Sequence, residues 1–289
     1  MNLTDAVAAR GGLAATHELL RAGWNSRQLT QAVGAGSLVR VRQGWYAAPS
    51  THAAFQQAVR VGGRLGCISA ARAYGLWVPG TGKLHVAVEA HASRLRSSTD
   101  KTVRLSGLPN PGVVVHWTDG RASGNRFSVS VRECLRQMCH CQRPETVVAT
   151  VDSALRKGLI TRPEWLSDIS GLPGRLPSLL ESVDALSESI IESLTRYRLC
   201  RVGLRVRIQV RIRGVGRVDI LIGDRLVIEL DGWEFHSNFE QFEEDRRRDA
   251  VLSALGYRVL RFSYVQVMHR RSEVMSAILA SVARGDHLA

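Results

Sequence analysis

Lysine is nearly absent: it occurs only at 83, 101 and 157, so arginine supplies almost all of the 39 basic residues. A GC-rich coding bias would also inflate arginine, but it would not explain a net charge of +13. No run of about 18 apolar residues occurs, which argues against a membrane-spanning helix. The start, MNLTDAVAARGGLAATHELL, has no basic segment followed by an apolar block, so no signal peptide and a cytoplasmic chain are expected. Cysteine is sparse, at 67, 134, 139, 141 and 200. An odd number without an export signal argues against structural disulfides. The stretch CLRQMCHC (134–141) lacks a second ligand pair at zinc-site spacing and reads as small thiols packed on a helix. His85, His91 and His116 are scattered and read as surface or hydrogen-bonded histidines, not ligands. Internal repeats and low-complexity tracts are missing too.

What is present is a chain of 289 residues, 45% hydrophobic, long enough for two or three domains. Its charge and a pI near 10.5 point to a polyanionic partner, most commonly nucleic acid. Arginine suits phosphate because its planar fork makes two parallel hydrogen bonds. Residues 1–50 suggest helices over LAATHELLRAG and NSRQLTQAVGAG, the second capped by Asn25 or Ser26. SLVRVRQGWYAAP follows, with Leu38, Arg40 and Arg42 alternating with Val39 and Val41 before a Gln43-Gly44 turn. Helices followed by a short basic hairpin are the pattern of a winged helix-turn-helix. Arg27 and Gln28 would then reach a DNA groove, and Arg40 and Arg42 would reach phosphates. A folded helical cap for protein contacts fits the same pattern.

The motifs GGLAATHELLRAGWNSRQLTQAV, GSLVRVRQGWYAAP and CISAARAYGLWVPGTGKLHVAV resemble the N-terminal part of type IV antitoxins of the AbiEi type, over roughly residues 5–90. The resemblance implies a DNA-binding antitoxin-like module and a following α/β region, assigned to 51–177. The Pro/Gly-rich GLPGRLPS (171–178) reads as a linker.

From 178 to 289 the pattern sharpens. SLLESVDALSESIIESLTRYRLCRVG reads as a helix with Glu188 and Glu192 on one face. In RVRIQVRIRG, Val206, Ile208, Val210 and Ile212 alternate with Arg205, Arg207, Gln209, Arg211 and Arg213, predicting one buried and one basic face. Eight arginines and no acid lie between Arg196 and Arg217. A bound polyanion would relieve their repulsion; a solvated edge strand guarded by charge is the alternative.

RVDILIGDRLVIELDG (217–232) reads as a hairpin with carboxylates planted in its strands. Glu229 and Asp231 share a face, about 7 Å apart. A two-residue Gly223-Asp224 turn would set Asp219 on the opposite face. A three-residue loop, Gly223 to Arg225, would pair it with Glu229. If the three form one site, the odd loop or a bulge is predicted. Crowded carboxylates raise one another's pKa, and a divalent cation resolves the conflict. Carboxylates, Mg²⁺ or Mn²⁺ and a basic surface together suggest phosphodiester hydrolysis.

The same order resembles the PD-(D/E)XK nuclease fold. More closely, ESIIESLTRYRL, GRVDILI, LVIELDGWEFH and FEEDRRRDAVLSALGYRVLRFSYVQV resemble the domain of very-short-patch-repair-like endonucleases. The resemblance implies Asp219 and Glu229 as metal ligands, Glu192 as the helix carboxylate, and Arg248 and Arg261 facing substrate. The family's usual Lys is Asp231 here, which leaves the general base open: His236 acting through water, or Asp231 holding a second metal. In the next helix Asn238 and Gln241 are expected to cap, Phe239, Phe242, Val251, Leu252 and Leu255 to bury, and Asp245 to approach the hairpin.

The fold expected is α+β: a winged helix-turn-helix, a middle α/β region and a C-terminal restriction-endonuclease-like domain. The function expected is a metal-dependent endodeoxyribonuclease of repair or phage defence. Its catalytic set is Glu192, Asp219, Glu229, Asp231 and His236, with Asp231 added to the metal ligands. DNA contacts fall on Arg27, Gln28, Arg40, Arg42, Arg205, Arg207, Arg211, Arg213, Arg248 and Arg261. The alternative is an antitoxin-like DNA-binding transcriptional repressor with an inert nuclease fold. DNA is the expected partner, without a membrane; a homodimer or a toxin or repair partner is compatible with either.

Overall fold

The computed structural model describes residues 2–80, 82–109, 112–119, 123–174, 176–232 and 239–289, the side chains of 239–242 and 245 excepted. Two compact units divide the chain: residues 1–75 with 80–140, and 76–79 with 141–289.

The first unit begins α1 (Leu3–Ala8), β1 (Leu13–Ala15), α2 (Thr16–Arg21), α3 (Ser26–Gly34), β2 (Val39–Arg42) and β3 (Trp45–Ala47). Asn25, not Ser26, caps α3: its carboxamide oxygen accepts the Gln28 amide at 3.0 Å, and Gln28 Oε1 accepts the Asn25 amide at 2.9 Å. These strands form an antiparallel sheet in the order β1-β3-β2. Gly44 closes the two-residue turn with φ +82°, a conformation glycine adopts freely. Leu3, Val7, Leu19, Leu29, Leu38 and Tyr46 fill the core beneath.

The register shifts between Arg40 and Arg42. Arg40 stays exposed. Arg42 turns inward, donating to the carbonyls of Val59 and Arg94 at 3.4 and 3.5 Å. Burial, then the charge of Arg96, holds its pKa below the usual value. The Arg42 expected on the hairpin's outer surface is thus tucked against its own unit.

The unit continues through α4 (Ala53–Val61), β4 (Arg64–Leu65), α5 (Cys67–Ala73), β5 (Leu84–Glu89), β6 (Val113–Thr118) and α6 (Val131–Cys141, all but its final residue), with sheet order β4-β5-β6. β5 and β6 run parallel with Ala87 opposite His116. His85 and His116 are therefore diagonal neighbours on one face. Their rings stack, centroids 5.2 Å apart, so the reading of these two as scattered is corrected. Within 134–141 the reading of packed thiols holds for Cys134 and Cys139, both buried; burial pushes the Cys134 thiol up to about 12.

In the second unit, α7 (Pro144–Arg156), α8 (Arg162–Ile169) and α9 (Leu176–Leu180) precede α10 (Ile190–Arg201). The Pro/Gly stretch at 171–178 lies inside this unit. α8 before it and α9, which begins within it, are tied by Trp165 Nε1 donating to the Leu180 carbonyl at 2.9 Å. α7 and α10 share buried ion pairs, Asp152–Arg196 at 2.7 Å and Glu145–Arg198 at 2.9 Å.

A four-stranded sheet follows, from β7 (Val206–Ile212), β8 (Gly216–Ile222), β9 (Leu226–Asp231) and β10 (Arg258–Ser263), in the order β10-β9-β8-β7. β7, β8 and β9 form an antiparallel meander, and β10 returns parallel to β9 after α11 (Phe239–Ala254). α12 (Tyr264–His269) and α13 (Arg271–Ala283) close the chain of elements. Ile220, Ile222, Ile228 and Phe262 pack with Ile191, Val267, Val274 and Ile278 of α10, α12 and α13. Val218, Leu221 and Val227 pack with Leu252 of α11. The sheet is thus buried on both faces, which explains its near-continuous apolar strands.

Two expectations fail here. β7 does not alternate strictly: Val206 and Ile208 join the first cluster, Val210 and Ile212 the second. Gln209 between them has φ +54°, which rotates the strand about its own axis. The arginines at 205, 207, 211 and 213 are all exposed, but they do not form one face. Leu255, expected to bury, is 51% exposed just before Gly256 ends the helix.

Candidate active site

The β8–β9 ladder pairs Ile222 with Leu226, Leu221 with Val227, and Ile220 with Ile228. That register leaves a three-residue loop, Gly223 to Arg225, which sets Asp219 opposite Glu229 as the parity argument required. The backbone ladder stops there. Beyond it the carboxylates take over: Asp219 Oδ2 accepts the Leu230 amide at 2.8 Å and Glu229 Oε2 accepts the Asp219 amide at 3.3 Å. The strands part at these residues, and buried amides that would lose partners find side-chain oxygens instead.

The parting opens a cleft of about 450 Å³. Asp219, Glu229 and Asp231 line it together with Glu188 and Glu244. Arg217, Arg248 and Arg261 are the cations on its wall. Five carboxylates against three guanidiniums, among the described residues, make the cleft locally acidic in a chain of net charge +13. Each arginine has a geometric reason to be there. Arg261 sits beside Glu229 because β10 runs parallel to β9 with those two residues in register; its Nη2 donates to Asp249 at 2.7 Å. Arg248 descends from α11 and donates to Glu229 Oε1 at 3.1 Å and to the Arg217 carbonyl at 2.8 Å. Arg217 pairs with Glu188 at 2.6 Å.

Glu192 is the helix carboxylate, buried at the third position of α10. It is fully engaged: Ser189 Oγ donates to Oε1 at 2.8 Å, and the Glu188 amide and Gln209 Nε2 donate to Oε2 at 2.9 and 2.8 Å. It sits behind the cleft wall while Gln209 reaches the cleft. Gln209 is the participant that periodicity misses. The sequence assigns it to the basic face, whereas its left-handed backbone turns it toward Glu192.

Electrostatics follow from this crowding. Burial and then the charge of Glu229 raise Asp219 to about 6. Burial raises Glu229 too, opposed chiefly by Arg248. Glu192 is raised by burial, against the Glu188 amide and with Asp219 adding to the rise. Asp219 therefore holds its proton more tightly folded than unfolded, where a carboxyl titrates near about 4. Its stabilising contribution is full below about pH 4 and is lost as pH rises through about 6. In chelator, unfolding free energy is expected to fall across that window and Asp219→Asn to lessen the decline, the raised Glu229 and Glu192 keeping their share. Urea titrations at pH 4.5 and 7.5 measure it; equal pH slopes in the two proteins would contradict the assignment.

Of the residues singled out in sequence, Asp219, Glu229, Asp231, Arg248 and Arg261 come together, and Glu192 lies just behind. Arg205, Arg207, Arg211 and Arg213 do not line the cleft. Arg27, Gln28, Arg40 and Arg42 belong to the first unit. His236 and Asn238, and the side chains of Phe239, Gln241, Phe242 and Asp245, lie outside the described residues.

The restriction-endonuclease-like family model REase_MTES_1575 matches residues 190–282, from the first residue of α10 to the last turn of α13. No curated protein matches the chain.

Proposed function

We propose that the chain is a metal-dependent DNA endonuclease carrying its own DNA-binding module. One observation supports this above the rest: Asp219, Glu229 and Asp231 converge in an acidic cleft walled by Arg217, Arg248 and Arg261, inside the segment that the restriction-endonuclease-like family matches. The donor set is all oxygen and carries excess negative charge, which fits Mg²⁺ or Mn²⁺ better than a thiophilic metal. Asp219 and Glu229 would hold the ion, with Asp231 extending the set at the cleft's half-exposed side. When bound, it supplies Lewis acidity toward a phosphoryl oxygen and toward water.

The protein's own groups do the positioning. Arg248 and Arg261 offer guanidinium forks to phosphate oxygens. Glu192, through Gln209, fixes the strand that faces Asp219. The N-terminal order α1-β1-α2-α3-β2-β3 supports reading this module as a winged helix. Arg27 and Gln28 on α3 and Arg40 on β2 are exposed, as DNA contacts require. Gln28 Nε2 is left to donate to such a contact, while its Oε1 accepts the Asn25 amide at the start of α3.

The test is nicking of supercoiled plasmid and of mismatched duplex by the full chain. Cleavage is expected with Mg²⁺ or Mn²⁺ and none in EDTA. Cleavage that persists in EDTA, or no cleavage with any divalent ion, removes the hydrolytic reading.

One feature favours a second reading, a repressor with an inert nuclease fold: an acid, Asp231, stands where PD-(D/E)XK nucleases usually carry lysine. A specific footprint lost in Arg27→Ala/Arg40→Ala but kept in Asp219→Asn, without cleavage, is its signature.

A further inference from the structure

Three residues of the first unit and Cys141, the final residue of α6 just past that unit's boundary, make a second set of metal-ligating side chains, chemically unlike the carboxylates. Cys67, His85, His116 and Cys141 each offer one ligand atom, and the four atoms all lie within 4.8 Å of one another. Their sources are four elements: the first residue of α5, strands β5 and β6, and the last residue of α6, the helix that otherwise belongs wholly to this unit.

Each ligand is held by structure around it. His85 Nδ1 and His116 Nε2 face each other at 3.0 Å, from rings inclined by 27°. The His85 amide donates to Ser69 Oγ at 2.9 Å, which ties β5 to α5. The Cys67 amide donates to Gln137 Oε1 at 2.8 Å, which ties α5 to α6. Gln137 and Cys141 are four apart on α6 and share a face, so the contact that fixes Gln137 also brings Cys141 to the cluster. Gly66 permits the approach: a Cβ there would sit 2.6 Å from Gln137 Oε1 and 3.0 Å from the Ala87 nitrogen. Cys67 itself is fully buried with φ +46°, a backbone conformation that side-chain-bearing residues rarely adopt and that collects at ligand clamps.

We propose that Cys67, His85, His116 and Cys141 form a tetrahedral zinc site that ties α5, β5, β6 and the end of α6 together. Two thiolates and two imidazoles are a zinc donor set, and hard cations such as Mg²⁺ disfavour it. Zinc bonds of about 2.0–2.3 Å put neighbouring ligand atoms about 3.3–3.8 Å apart, so the four atoms need only a small contraction. All four positions are filled by protein, which makes the site structural and distinct in role from the open carboxylate cleft. The buried Cys134 and Cys139 take no part; their sulfurs donate to the carbonyls of Val131 and Leu135.

The test uses the full chain expressed with zinc and purified without chelator, with metal measured by mass spectrometry. About one zinc per chain is expected, as for any closed four-ligand site. Cys141→Ser, at an exposed position that does not threaten folding, and His116→Gln should each lose it. Asp219→Asn/Glu229→Gln should keep it, which separates this site from the cleft. Cobalt substitution adds a spectroscopic readout: a thiolate-to-cobalt charge-transfer band with strong tetrahedral ligand-field bands, absent in Cys141→Ser. The proposal is overturned if the wild type holds no zinc after refolding with zinc sulfate. It is equally overturned if Cys141→Ser and His116→Gln retain full zinc, or if cobalt binds without the thiolate band. A Cys67–Cys141 disulfide in the purified protein would also overturn it.

Discussion

Replacing Asp219 with Asn is expected to lower divalent-ion-dependent strand cleavage by about 10³-fold, without loss of fold. Losing a charged ligand removes several kcal/mol of transition-state stabilisation, and each ~1.4 kcal/mol is a factor of ten in rate. Stability moves the other way at neutral pH. Asn keeps an oxygen for the Leu230 amide, now held at 2.8 Å, but brings no charge into a buried site beside Glu229. Glu229→Gln should cost as much in rate but gain less in stability, because Arg248 loses the carboxylate it contacts at 3.1 Å. Glu192→Gln, which acts through Gln209 and the Glu188 backbone rather than by touching substrate, should cost about 10–100-fold. Single-turnover rates in Mg²⁺ with the DNA saturated, together with melting curves in EDTA, separate these cases. A wild-type rate in Asp219→Asn would remove that residue from the chemistry.

The second large effect lies outside the cleft. Asp152→Ala is expected to destabilise the second unit by about 3–5 kcal/mol, because it strands Arg196 as a buried, uncompensated charge. Asp152 has no exposed surface, and its two oxygens accept from Arg196 at 2.7 Å and from the Asp184 amide at 2.7 Å. Arg196 in turn reaches the Ser182 carbonyl, so one ion pair fastens α7, the segment before α10, and α10 itself. Burial still holds Asp152 above the usual carboxylate range, against the charge of Arg196, which shows how costly the desolvation is. The melting temperature should fall by on the order of 10 °C. An Asp152→Leu/Arg196→Met double variant should lose much less, since apolar replacements of both partners are often near neutral. If the single and double variants melt alike, the ion pair is not the source of the loss.

The hairpin was legible because side chains alternate along a strand: one count of residues between Asp219 and Glu229 decided whether they could meet. The Asn25 cap was legible because its hydrogen bonds are local. What escaped were consequences of single torsions and of long-range packing. Nothing in RIQVR signals that Gln209 takes a left-handed φ, yet that angle sends Ile208 and Val210 into different cores and splits the basic row. Arg42 looked equivalent to Arg40 until one irregular step in the ladder turned it inward. The Cys/His cluster was invisible for another reason. Its members lie far apart in sequence, and only the parallel register of β5 and β6 and the reach of α6 assemble them.

β7 forms the outer rim of its sheet. A rim strand leaves half its peptide groups without a neighbour, an invitation to add strands from another molecule. Here Arg207 and Arg211 stand exposed along it, Arg207 reaching the Gly223 carbonyl and lying 3.8 Å from Asp224. Two such rims brought to strand spacing, about 4.8 Å, would press guanidinium against guanidinium. The same residues therefore discourage runaway stacking of chains at high concentration, and neutralising them should make the protein prone to precipitate.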